Sequence, residues 1–157
     1  MNNRRLFPCV LLLLSSWVGL ASSGQSGVVV LRPTGFVQGT AAEFIPAEQL
    51  KARLSRNDRL ILLDVRDTSS FVSSRDRIKG ALHVKLRRLN YRLSLPPLRD
   101  ISRDSEVVTY CACPNDEASI RAARILSDSG FKHVYVLKGG WRSWLKVSGP
   151  VEPRPKA

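Results

Sequence analysis

The sequence predicts an α/β domain with a parallel central sheet of about five strands and helices on both faces. Two observations carry this. Apolar runs of strand length, at 60–65, 106–110 and 134–137, alternate with segments of helical period, clearest at 118–126. The runs are also nearly continuous in apolar character, the pattern of strands buried on both faces. Parallel strands joined through helices imply right-handed crossovers.

The totals agree. A chain of 157 residues has room for one ordinary domain with one core, and 43% hydrophobic with 24% charged residues is the balance of a folded globular protein. A net charge of +12 favours anionic substrates or partners in general. No zinc-finger spacing, basic zipper or aromatic-studded RNA motif accompanies the charge, so nucleic acid is not an expected partner.

The first 23 residues read as a secretory signal peptide. Arg4 and Arg5 precede the apolar run 10–14, and small residues follow at Gly19, Ala21, Ser22 and Ser23. Cleavage after Ala21 or Ser23 is expected, giving a periplasmic or secreted protein. The competing reading is an uncleaved anchor, the only route by which membrane association is expected, but the run falls short of the roughly 20 residues that span a bilayer. Cys9 precedes the apolar run, which argues against lipid attachment. Residues 24–42, rich in Gly, Ser and small side chains, read as a linker.

The domain itself is expected over 43–152. Phe44-Ile45 is a short strand, and Pro46 opens a helix over 47–54, where proline costs no hydrogen bond. The run 60–65 is a buried strand, 69–74 a short helix or turn, and 78–84 a turn and strand. A short helix over 86–93 and then a loop account for the Arg-rich stretch interrupted by Pro96-Pro97. The strand 106–110 runs into Cys111 and a loop. The following helix has apolar positions Ala118, Ile120, Ala122, Ala123, Ile125 and Leu126, and Gly130 ends it. Residues 134–137 form the last expected strand and 141–146 a last short helix. Two prolines and two basic residues mark 151–157 as a frayed end, with the flexible tail counted from 153.

Three cysteines are too few, and too badly spaced, for a disulfide framework. Cys111 and Cys113 lie together between a strand and a helix. A cysteine before a helix N-terminus meets the positive end of the dipole and unpaired backbone N–H groups, which favour a nucleophilic thiolate and can hold an anion. Near the helix start, Asp116 and Glu117 fit as first-turn acids.

From about Phe44 to Glu152 the chain resembles the rhodanese-like domain family. The matching pieces come in order: 46–54, Leu63-Asp64-Val65-Arg66, Phe71, Ile78-Lys79-Gly80-Ala81, Tyr110-Cys111, Arg121-Ala122-Ala123, Gly130-Phe131 and Leu137-Lys138-Gly139-Gly140-Trp141. The resemblance implies a sulfurtransferase fold. In it Cys111 takes a sulfane sulfur as a persulfide from a small anionic donor and passes it to a thiol or cyanide-like acceptor. It implies that Ala112, Cys113, Pro114, Asn115, Asp116, Glu117 and Ala118 form the substrate cradle. Asp64 and Arg66 match a motif with a mostly structural role. No cofactor and no metal are implied.

The loop departs from the common family pattern, in which small and basic residues follow the cysteine. Its Cys-x-Cys-Pro-Asn wording looks like a subgroup found alone or attached to membrane proteins. Counted back from Ala122-Ala123, Cys113 has the ordinary loop spacing, whereas Tyr110-Cys111 completes the strand in the family manner; Cys111 is favoured as nucleophile. A second thiol also permits a redox or sulfur-carrier role with a thiol-redox partner, in which Cys113 resolves an oxidised Cys111. A non-catalytic binding module on the same fold is the remaining alternative.

Other chemistries fit less well. A phosphatase or arsenate reductase needs Cys-x5-Arg, but six positions after Cys111 is Glu117 and after Cys113 is Ser119. Two cysteines with His83 and His133 lack metal-ligand spacing. The Arg-rich segment 75–103 reads as a solvated face, or as a positive rim for anionic donors.

Overall fold

The computed structural model describes residues 42–155. The expected signal peptide over 1–23 and nearly all of the expected linker over 24–42 lie outside the described residues. Among the described residues no helix is long and apolar enough to cross a membrane.

The elements follow one another as β1 (Glu43–Ile45), α1 (Ala47–Ser55), β2 (Leu60–Asp64), α2 (Thr68–Ser73), β3 (Asp76–Ile78) and β4 (Leu82–His83). A 3₁₀ turn (Leu86–Arg88) leads into α3 (Leu89–Arg92), and a second (Leu98–Asp100) precedes β5 (Glu106–Tyr110). Then come α4 (Glu117–Asp128), β6 (His133–Leu137), α5 (Gly140–Lys146) and β7 (Val151–Pro153). The main sheet has the order β1-β6-β5-β2-β4, and every pairing in it is parallel. The expected five-stranded sheet with helices on both faces is present.

Period-two alternation along the central strands divides the core. Leu63, Val65 and Val107 pack with Leu89, Leu93, Ala122 and Leu126, beneath α3 and α4. Leu62, Val108, Tyr110 and Leu137 point the other way, against Ala47 and Leu50 of α1 and Trp144 of α5. Because both faces are covered, these strands read as unbroken apolar runs. Leu50, Val108, Leu126 and Trp144 are fully buried, and each such aliphatic side chain contributes roughly 1.5–3 kcal/mol.

The expectation of a frayed end from Val151 does not hold. Val151–Pro153 forms β7, which pairs antiparallel with β3 in a small second sheet, Ile78 opposite Val151 and Arg77 opposite Glu152. The Arg77–Glu152 ion pair closes at 2.7 Å, and the Arg154 N–H donates to the Arg75 carbonyl. Pro153 is tolerated because a strand end needs no donor there.

Candidate functional site

The carboxyl ends of β2 and β5 lie side by side and open on one cavity of about 670 Å³. Open parallel sheets bind ligands at such ends. The walls come from 65–68 after β2, from Lys85, Leu86, Arg87 and Asn90 around the first 3₁₀ turn, from 111–113 after β5, and from Ala118, Arg121 and Ile125 along α4.

The β2 wall is built on a buried ion pair. Arg66 and Asp64 are 1% and 0% exposed, and the guanidinium Nε and Nη2 donate to the carboxylate at 2.6–3.0 Å. The Tyr110 hydroxyl donates to Asp64 Oδ2 at 2.8 Å and accepts the Ile78 N–H at 3.2 Å. The Arg66 guanidinium also donates to the Asp76 carbonyl and stacks over the Trp141 ring, 4.5 Å from its centre. Burial works against ionisation of Asp64, but His83 and Arg66 outweigh it and hold the carboxyl below its usual range. His83 Nδ1 stands 3.9 Å from Oδ1, beyond hydrogen-bond length, so Arg66 is the partner that matters. Burial first, and the Asp64 charge second, push the Tyr110 phenol well above its ordinary range. Asp67, the acid on this wall, caps α2. The Ser69 hydroxyl first, then the Ser70 amide, hold its carboxyl well below the usual range.

The β5 wall is held through the main chain. Cys111 is 1% exposed, and its carbonyl accepts the Trp141 N–H at 2.8 Å. A Cβ on Gly140, whose φ is +49°, would overlap that carbonyl oxygen, so only glycine fits. Asp116 takes a left-handed φ of 54° and its carboxylate accepts the Gly139 N–H at 2.7 Å. The Gly139-Gly140-Trp141 turn is thus a clamp on the cysteine loop.

Cys111 and Cys113 form a disulfide, with their Cα atoms 5.7 Å apart. The sequence reading placed the converging helix amides on Cys111. The Ala118 N–H, in the first turn of α4, is instead directed at Cys113 Sγ at 3.4 Å. The chain turns after Cys113, whose carbonyl accepts the Asp116 N–H at 3.4 Å, whereas Cys111 packs into the α4-side core. The ordinary spacing of Cys113 from Ala122-Ala123 was the signal for this.

Of the expected cradle, Ala112, Cys113 and Ala118 face the cavity. Pro114 and Asp116 border a separate depression beside Gly139 and Lys146, while Asn115 and Glu117 are exposed. Glu117 is the expected first-turn acid; Asp116 is spent on Gly139 instead. Lys85 and Arg87, from the Arg-rich segment read as a solvated face or a positive rim, line the cavity, and so does Arg121, which sequence reasoning did not single out as a site residue. Arg121 stands three residues after Ala118 and four before Ile125, the helical spacing that puts all three on one face. It supplies from α4 the positive charge that the loop lacks. Among the described residues no group of three His, Cys, Asp or Glu is placed to hold a metal ion.

The model of the rhodanese-like domain matches residues 46–147. The thiosulfate sulfurtransferase GlpE of Glaesserella parasuis is 28% identical over 116 residues, covering 74% of this chain and 97% of that one. Its namesake from Stutzerimonas stutzeri is 33% identical, over 64% of this chain and 82% of that one. Among solved structures, the rhodanese-like domain of the Alr3790 protein from Anabaena sp. superposes with a TM-score of 0.60 at 30% identity, covering 73% of this chain and 81% of that one. The parallel sheet, the cysteine loop at its carboxyl edge and these matches agree that the chain belongs to the rhodanese-like domain family.

Proposed function

We propose that this protein is a sulfurtransferase that carries sulfane sulfur as a persulfide on the Cys111–Cys113 pair and delivers it to a thiol or cyanide-like acceptor. One observation carries the reading: a helix amide is aimed at Cys113 Sγ on the wall of a cavity that Lys85, Arg87 and Arg121 also line. The amide favours a thiolate once the disulfide is reduced, and the cations suit an anionic donor. The geometry favours Cys113 as the reacting sulfur, since it is half-buried where Cys111 is 1% exposed.

With thiosulfate, the Cys113 thiolate attacks the outer sulfur, the donor S–S bond breaks and sulfite leaves with the bonding pair. The acceptor then takes the outer sulfur of the persulfide and the thiolate returns. The relatives named as thiosulfate sulfurtransferases support this donor class. Read with its Arg4-Arg5 and leucine-rich start, the protein works in an exported compartment; mature protein beginning after Ala21 or Ser23 would support that.

The test is sulfur transfer from thiosulfate or a polysulfide to cyanide by the reduced protein and its serine variants. Cys113→Ser is expected to fall to background. Undiminished turnover in Cys113→Ser, with loss in Cys111→Ser, would return the nucleophile's role to Cys111. Turnover that survives in both would overturn the reading.

A further inference from the structure

We propose that Cys111 resolves the Cys113 persulfide within the chain, releasing hydrosulfide and leaving the Cys111–Cys113 disulfide. The protein is then a sulfane-sulfur reductase as well as a transferase, reset by an external dithiol. The inference rests on the sulfur-transfer reading and names what the second cysteine does in it.

Three observations converge. The two sulfurs are near enough to bond, with Cα atoms 5.7 Å apart. Cys111 is held where it is by contacts that involve no sulfur: Trp141 donates to its carbonyl and Gly140 packs directly against the same oxygen. Its position is therefore prepared before the disulfide forms. Finally, Cys111 is 1% exposed and Cys113 half-buried. An acceptor from solution reaches Cys111 poorly, while the neighbouring sulfur is within reach of it without diffusion.

The step balances without an added oxidant. Cys111 attacks the inner sulfur of the persulfide, Sγ of Cys113. The bond from Cys113 to the outer sulfur breaks, and the outer sulfur leaves as hydrosulfide with the Cys111 proton. The sulfane sulfur is reduced and the two cysteines are oxidised. A dithiol reductant attacks Cys113, the more exposed sulfur, and Cys111 departs as thiolate. The second thiol of the reductant then frees Cys113, supplying the two electrons that restore the pair.

The experiment is a single turnover of the full chain. Reduced protein, freed of reductant and kept anaerobic, receives one equivalent of polysulfide or thiosulfate, and intact mass, free thiol and hydrosulfide are followed. Wild type is expected to lose both thiols of the pair and release stoichiometric hydrosulfide with no lasting mass gain. Cys111→Ser is expected to gain the mass of one sulfur atom and hold it until a thiol or cyanide is added. If wild type also holds the sulfur and releases none, this inference falls and the transfer reading stands. Should neither protein accept sulfur, both fall. Equal hydrosulfide release from Cys111→Ser without added thiol would likewise overturn the role of Cys111.

Discussion

Two loops wall the same cavity from neighbouring strands, and they are secured by opposite means. After β2 the chain is locked by side chains: Asp64, Arg66 and Tyr110 form a buried set of charge-assisted hydrogen bonds. After β5 the lock comes from the backbone of the Gly139-Gly140-Trp141 turn: Trp141 N–H to the Cys111 carbonyl, Gly139 N–H to the Asp116 carboxylate, and Gly140 pressed on the Cys111 carbonyl. The difference has a chemical consequence. A loop gripped by the backbone of a neighbouring turn keeps its cysteine side chains out of the lock, and the two sulfurs sit on that wall. The charged wall commits the Asp64 carboxylate and the Arg66 Nε and Nη2 to the fold.

The comparison breaks most visibly at the charged wall. Arg66→Met leaves the Asp64 carboxylate buried without its main partner and should cost about 3–5 kcal/mol, read from denaturant unfolding. The same pair shapes the acid limb. Because Asp64 is held below its unfolded value of about 4, the unfolded chain takes up the proton first. That stability is complete above the unfolded value and is lost as pH falls through the folded one. Unfolding free energy measured against pH should show this in wild type and a flattened limb in Arg66→Met.

At the backbone-held wall, Gly140→Ala drives a Cβ into the Cys111 carbonyl and should cost about 1–3 kcal/mol. Transfer should fall with it, because the displaced carbonyl moves the sulfur loop. A Gly140→Ala protein with normal transfer would show that the clamp does not position the site. Tyr110→Phe touches the charged wall lightly, removing a hydroxyl shared between Asp64 and the Ile78 amide. A loss of about 1–2 kcal/mol in stability is expected, with cysteine chemistry retained. The smallest effect on folding belongs to Arg121→Gln, on the exposed face of α4. Stability should change by less than about 0.5 kcal/mol, while KM for thiosulfate rises and the difference narrows at high salt.

The elements that were legible are those whose signal is local. β2, β5 and β6 announce themselves as apolar runs, and α4 by its period, because burial on both faces leaves that mark in consecutive residues. β7 was missed because it is three residues long and exists only by pairing with β3, which lies far away in sequence. The cysteine loop was legible as the candidate site, but the choice of which sulfur meets the helix amide was not. That choice depends on the turn at Asp116 and on its bond to Gly139, neither of which has a residue pattern. Arg121 was visible in the sequence as part of a helix motif, yet its part in the cavity appears only once α4 is laid beside β5.

By itself, then, the sequence determined the α/β class, the family resemblance and the segment that holds the paired cysteines, all of which follow from the order and period of neighbouring residues. The tertiary structure decided which sulfur meets the helix amide, which cations share its cavity and how the chain end is paired. Those are set by approaches between segments remote along the chain, and the energy of such contacts depends on distance and orientation that no stretch of sequence encodes alone.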